Sequence, residues 1–117
     1  MLSFLDAVPA QVLDEVMYGR QRRGNVVLYG AGDGADKGDT CATDGYATHP
    51  SILTITALTS EDQSVEYAEE CPSILAAAYS GGGTQPLITT DPDNGCTDSF
   101  TGTSAAASMA AGMNEYY

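Results

Sequence analysis

Residues 25–32, NVVLYGAG, form an unbroken apolar, β-branched run that ends directly in glycines. A strand with one wet face alternates polar and apolar side chains. An uninterrupted run instead suits a strand buried on both faces, as in a parallel sheet. Similar runs return in SILTITAL (51–58), SILAAAY (73–79) and PLITTD (86–91), separated by Gly-, Asp-, Ser- and Pro-rich stretches. A helix is predicted from about Pro9 to Tyr18, with Pro9 in its first turn, Val12, Leu13, Val16 and Met17 at helical spacing, and Gly19 as its terminator. The alanine-rich TSAAASMAAGMNEYY (103–117) is predicted to be a second helix that begins after a Gly-Thr turn. Helices flanking buried strands make an α/β layer of mainly parallel strands. Between them, GRQRRG reads as a solvated turn and DGADKGDTCATDGYATHP as a long acidic loop.

At 117 residues the chain has room for one modest domain. Sixteen acids against four bases give a net charge of −12. A phosphate backbone or an anionic membrane surface would be repelled, whereas a basic peptide or calcium would be favoured. No apolar run is long enough for a membrane span, and MLSFLDAVPAQ lacks the basic start and long apolar stretch of a signal peptide. Cys41, Cys71 and Cys96 form no CxxC, which argues against zinc and leaves one disulfide plus an odd thiol.

The segment GAGDGA after the first strand has the outline of a dinucleotide fingerprint, but no helical period follows to hold a pyrophosphate, and Asp33 would face the phosphates. Asp33, Asp36 and Asp39 do not follow EF-hand spacing. Ser104 lies after Gly102-Thr103 at the predicted start of the last helix. There it, or Thr103, can cap the helix, or Ser104 can be a nucleophile beside free backbone N–H groups. A nucleophilic serine needs a base, and the single histidine, His49, lies before Pro50 in a loop.

Several segments in order, PAQVLDEVMYGRQ, VVLYGAGDG, DTCATDGY, YAEECPSILAAAYSGGG, ITTD and GCTDSFTGTSAAAS, resemble the subtilisin-like serine endopeptidases of the kexin and proprotein convertase branch, from about Pro9 to Met113. The resemblance implies a partial subtilisin-like fold, the C-terminal part of a catalytic domain without the segments that bear the catalytic aspartate and histidine. It implies that Ser104 is the catalytic nucleophile, and that Asp33 stands where most subtilisins carry the asparagine that donates to the oxyanion. Asp44 matches the acid at the floor of the pocket for the substrate's P1 arginine, with Gly30 and Tyr46 also assigned to substrate binding. A carboxylate and a guanidinium form a charge-assisted, potentially bidentate pair. Asp39 and Glu69 match two calcium ligands, Cys41 and Cys71 match a disulfide, and Cys96 matches a cysteine whose partner lies upstream.

An ionised Asp33 is acceptor-only, so the oxyanion hole must lean on backbone N–H groups or on a protonated carboxyl. Within the branch the chain most resembles a prohormone convertase that also carries aspartate there. Ser108 replaces the signature proline, and the loop at Gly19–Gly24 is shortened. The expected function is cleavage of secreted protein or peptide precursors after basic residues in the secretory pathway, with calcium as cofactor and the isolated chain inactive. The alternative is a non-catalytic remnant that binds calcium or basic peptides.

Overall fold

The computed structural model describes residues 8–114. The stretch read as lacking a signal peptide falls partly, and the last residues of the predicted C-terminal helix wholly, outside that range. Helix α1 (Ala10–Arg22) leads through a loop to β1 (Val27–Gly30), then β2 (Ile52–Leu58) and β3 (Ile74–Tyr79). A hairpin of β4 (Leu87–Asp91) and β5 (Gly95–Phe100) precedes α2 (Thr103–Asn114). Strands β1, β2 and β3 form one parallel sheet in that order, with Val27 opposite Ile52 and Leu58 opposite Tyr79. Their C-terminal ends therefore share one edge, where open α/β sheets place their sites.

Helix α2 packs across all three parallel strands. Its buried Ala106 and Ala107 meet Ile55 and Ala57 of β2, with Leu28, Val65 and Tyr67 around them. Alanines bring the helix axis close to the sheet, and burial of a side chain such as Ile55 stabilises by about 1.5–3 kcal/mol. A second cluster, Ala31, Cys41 and Ala47 with Cys71 and Ile74, fixes the long acidic loop. That loop has only two short 3₁₀ turns, Ala35–Lys37 and Cys41–Thr43. The absence of an α-helix after Gly32 agrees with rejecting the dinucleotide fingerprint. The Cys41–Cys71 disulfide bridges a sequence separation of 30, for which chain entropy gives about 3–4 kcal/mol. Thr54 is fully buried, and its hydroxyl donates to the Ala47 carbonyl at 2.7 Å, which ties the loop to β2.

Three expectations need correction. First, PLITTD does not extend the parallel layer: β4 pairs antiparallel with β5, a strand the sequence analysis did not separate from the Ser104 segment. Both strands are largely exposed, and the β-rich GCTDSF was hidden by its polar residues. Second, β1 is half-buried rather than enclosed on both faces, because β2 is its one partner among the described residues. Third, β3 is mostly exposed, with Leu75 and Tyr79 facing out. The termination at Gly19 holds: the backbone leaves helical geometry there (φ −58°, ψ 167°) although hydrogen bonding continues to Arg22.

A cleft around Ser104

Helix α2 begins over the C-terminal end of β1. A Cβ on Gly30 would lie 2.8 Å from Thr103 Oγ1 and 3.0 Å from the Ser104 nitrogen, so only glycine lets the helix start so close to the strand. Gly102, at φ +99°, turns the chain into the helix, and its carbonyl accepts from Ala105 and Ala106 N–H. Neither Thr103 nor Ser104 caps this helix, contrary to the local reading. Instead Asp33 Oδ1, from the loop after β1, accepts the Thr103 N–H at 2.8 Å. Thr103 is buried, and its Oγ1 accepts the Gly32 N–H at 3.0 Å.

The Gly102 peptide is held on its other side as well. Its N–H donates to Tyr67 Oη at 3.1 Å, and its carbonyl accepts from Ser80 Oγ at 2.9 Å. Tyr67 Oη also reaches Ser80 Oγ and the Gly81 carbonyl, each at 3.4 Å. Ser104 is thereby presented at a fixed bend. Its side chain is exposed, and its Oγ has no hydrogen bond to another described residue. Its N–H lies in the first helical turn, where no carbonyl four residues back is available, and so remains a donor for an incoming oxyanion. Ser108 Oγ donates back to the Ser104 carbonyl at 3.0 Å, a local bond on the exposed side of the helix.

Ser104 and Asp44 line the same cleft, of about 760 Å³, together with Asp33, Asp39 and Glu69. Gly30 lines it too, and no basic side chain does. Asp44 is half-buried. Its Oδ1 accepts from the N–H groups of Tyr46 and Ala47 at 2.8 and 2.7 Å, which fixes the carboxylate in an Asx turn and leaves its second oxygen for a ligand. Tyr46 does not line the cleft. It stacks on Tyr29, which does, with ring centroids 5.2 Å apart. Tyr46 therefore reaches the cleft through Tyr29, which it supports.

Glu69 is buried, with its Oε1 accepting from Gly34 N–H at 3.0 Å. Asp39 is exposed, and its Oδ1 accepts from Thr40 N–H at 2.8 Å. Both carboxylates close on Gly34, where an added Cβ would meet Glu69 Oε1 at 3.0 Å and Asp39 Oδ2 at 3.3 Å. Hard oxygen donors of this kind suit calcium, which takes six to eight ligands. Among the described residues no group of three His, Cys, Asp or Glu side chains could hold a metal, so the pair is at most part of a ligand set.

His49 does not line the cleft. Its Nδ1 accepts from Ser51 N–H at 3.2 Å in the turn before β2. Cys96 is an exposed free thiol. The sequence brought Ser104, Asp33, Asp44, Asp39 and Glu69 to attention, and the structure gathers all five. Tyr67 and Ser80 were missed. Ser80 precedes the glycines 81–83 and Tyr67 lies among acids in SVEYAEE, and neither setting is a specific signal.

Away from the cleft, the Glu61 carboxyl is held down at about 2, chiefly by the Thr84 hydroxyl and then by Ser60 and the Thr84 N–H. This latch joins the turn after β2 to the glycine loop after β3. Nearby, the Tyr79 hydroxyl donates to Asp62 at 2.8 Å, which raises its pKa. No described helix is long and apolar enough to cross a membrane.

The sequence pattern of the Peptidase S8 subtilase family matches residues 4–114. The chain is 45% identical over 104 residues to the mouse proprotein convertase subtilisin/kexin type 7, with 84% of this chain and 14% of that protein covered. It is 42% identical over 100 residues to an endoprotease bli of Onchocerca volvulus, again over 84% of this chain and 14% of the relative. Yeast kexin is 34% identical over 108 residues, with 92% of this chain and 13% of kexin covered. The chain thus spans a small part of the curated relatives it matches.

Proposed function

Because this chain belongs to the subtilase family, with relatives among the kexins and proprotein convertases, we propose that it supplies the nucleophile and the P1 pocket of a serine endopeptidase that cleaves protein precursors after basic residues. One observation carries this reading: the Ser104 hydroxyl and the anchored Asp44 carboxylate line one cleft whose charged side chains are all acidic. A substrate arginine would pair with the free oxygen of Asp44, and Tyr29, backed by Tyr46, would wall its stem. Ser104 Oγ would then attack the following carbonyl, while the Ser104 N–H donates to the developing oxyanion.

Asp33 accepts rather than donates in this arrangement. Its part is to orient the helix end, and the oxyanion is left to backbone donors. The Ser104 proton needs a base that the single histidine, held outside the cleft, does not supply. A second segment must bring the histidine, so the chain by itself binds but does not hydrolyse. Asp39 and Glu69 would hold calcium, whose charge offsets the mutual repulsion of the cleft's carboxylates. Action in the secretory pathway accords with the disulfide.

The test is calorimetry with an Arg-Arg peptide, with and without calcium, alongside a hydrolysis assay on the same samples. Binding should weaken by about tenfold or more in Asp44→Asn, as expected for loss of a charge-assisted pair. Turnover should be undetectable. Binding indifferent to Asp44→Asn, or turnover that survives Ser104→Ala, would refute the reading.

A further inference from the structure

Three of the chain's four basic residues, Arg20, Arg22 and Arg23, stand together at the non-helical end of α1, away from the cleft. All three, and Gln21 between them, are exposed. Arg20, Gln21 and Arg22 have φ of 50°, 60° and 69°, a left-handed run that costs about 1–2 kcal/mol per residue. Hydrogen bonds from Arg23 N–H to the Arg20 carbonyl (3.3 Å) and from Gly24 N–H to the Gly19 carbonyl (2.9 Å) close the segment on itself at the end of α1. Such a stretch opens locally without unfolding the sheet, which is what a protease requires of its substrate.

The fourth basic residue, Lys37, is exposed but pinned. Its N–H donates to the Gly34 carbonyl, and the neighbouring Ala35, Gly38 and Asp39 N–H groups are bonded to Tyr67, Ala35 and Gly34 carbonyls. Asp36 and Asp39 flank it with the charge that an acid-floored pocket repels. The regular part of α1 precedes the arginines, and α1 has no buried residue and no extensive packing against a strand. Beyond the loop it is tied by the Asn25 N–H and side-chain amide, which donate to the Glu15 carbonyl at 3.0 Å and carboxylate at 2.9 Å.

We propose that Arg20–Gly24 is a proteolytic processing site, cut in trans after the paired Arg22–Arg23 by an endoprotease selective for basic residues, and that the cut uncouples α1 from the parallel sheet. The step is hydrolysis: the bond between the Arg23 carbonyl carbon and the Gly24 nitrogen breaks. Water supplies the oxygen of the new Arg23 carboxylate and the protons of the new Gly24 ammonium. The proposal is independent of the role given to Ser104.

The experiment uses limiting trypsin on the disulfide-intact chain, sampled by mass spectrometry, beside the same chain reduced in urea, where all four basic residues are equally accessible. In the native chain the first fragments should end within 20–23, mainly at Arg23, and appear at least about tenfold faster than cleavage at Lys37. The 24–117 product should keep its far-ultraviolet circular dichroism and separate from the α1 peptide. Replacement of Arg20, Arg22 and Arg23 together by glutamine should abolish the early cut without lowering Tm. First cleavage at Lys37, an order of cutting identical to that in urea, or an α1 peptide that stays bound would each overturn the proposal.

Discussion

Replacing Asp33 by alanine removes the acceptor that satisfies the first N–H of α2 at 2.8 Å. The donor, Thr103, is buried, so its N–H cannot readily turn to water. A hydrogen bond to a charged group contributes about 1.5–3 kcal/mol in general, and loss of a helix cap costs about 0.5–2 kcal/mol. With the carboxylate itself exposed, about 1–2 kcal/mol is the working figure. Unfolding entropy near 2.1 cal/mol/K per residue makes 1 kcal/mol worth about 4 °C for a chain this size, so Asp33→Ala should lower Tm by about 4–8 °C. Asp33→Asn keeps an oxygen in place and forfeits only the charge–dipole part, about 0.3–1 kcal/mol or about 1–4 °C. Ser104→Ala should leave Tm nearly unchanged, since its hydroxyl bonds to no described residue. Thermal unfolding followed by circular dichroism, with the disulfide intact, reads all three variants. An Asp33→Ala melting point equal to that of the parent, or an Asn variant as unstable as the Ala variant, would refute the capping argument.

Gly30→Ala should destabilise by about 1–3 kcal/mol in urea titration, because its Cβ would press on the backbone at Thr103 and Ser104. Gly112→Ala, where nothing lies within 4 Å, should instead stabilise α2 by about 0.5–1 kcal/mol. Equal effects would undo the close-approach reasoning. The Glu61 carboxyl is depressed from 4.5 to about 2, so the favourable latch is complete above the ordinary carboxylate range and is lost as pH falls through about 2. A carbon-13 titration of Glu61 with its midpoint near 4.5 would contradict that, and Glu61→Gln should abolish the acid dependence of the Thr84 amide shift.

The parallel strands were legible because their apolar runs lie within single segments, and so was the break at Gly19. The β4–β5 hairpin was only half legible: exposure permits polar residues in GCTDSF, which erases the apolar signal. The site divides in the same way. Ser104 and Asp44 belong to contiguous motifs that can be recognised in one segment. The acceptor for the helix end comes from 70 positions away in the chain, and the Tyr67 bond to Gly102 spans 35. Separations of this size carry no local pattern. In the sequence Asp33 stands out for its charge beside an oxyanion, whereas its bond to Thr103 depends on how the loop after β1 folds beneath the helix.

The clasp on the Gly102 peptide couples reactive geometry to residues that never meet a substrate. Tyr67 lies between β2 and β3, and Ser80 follows β3 directly, so Ser104 is stationed by the connections of the third strand as much as by its own helix. Lengthening either connection by one residue would swing the hydroxyl while leaving every cleft-lining side chain in the sequence. Drift in those two loops can therefore silence such a centre invisibly to any inspection of its motifs.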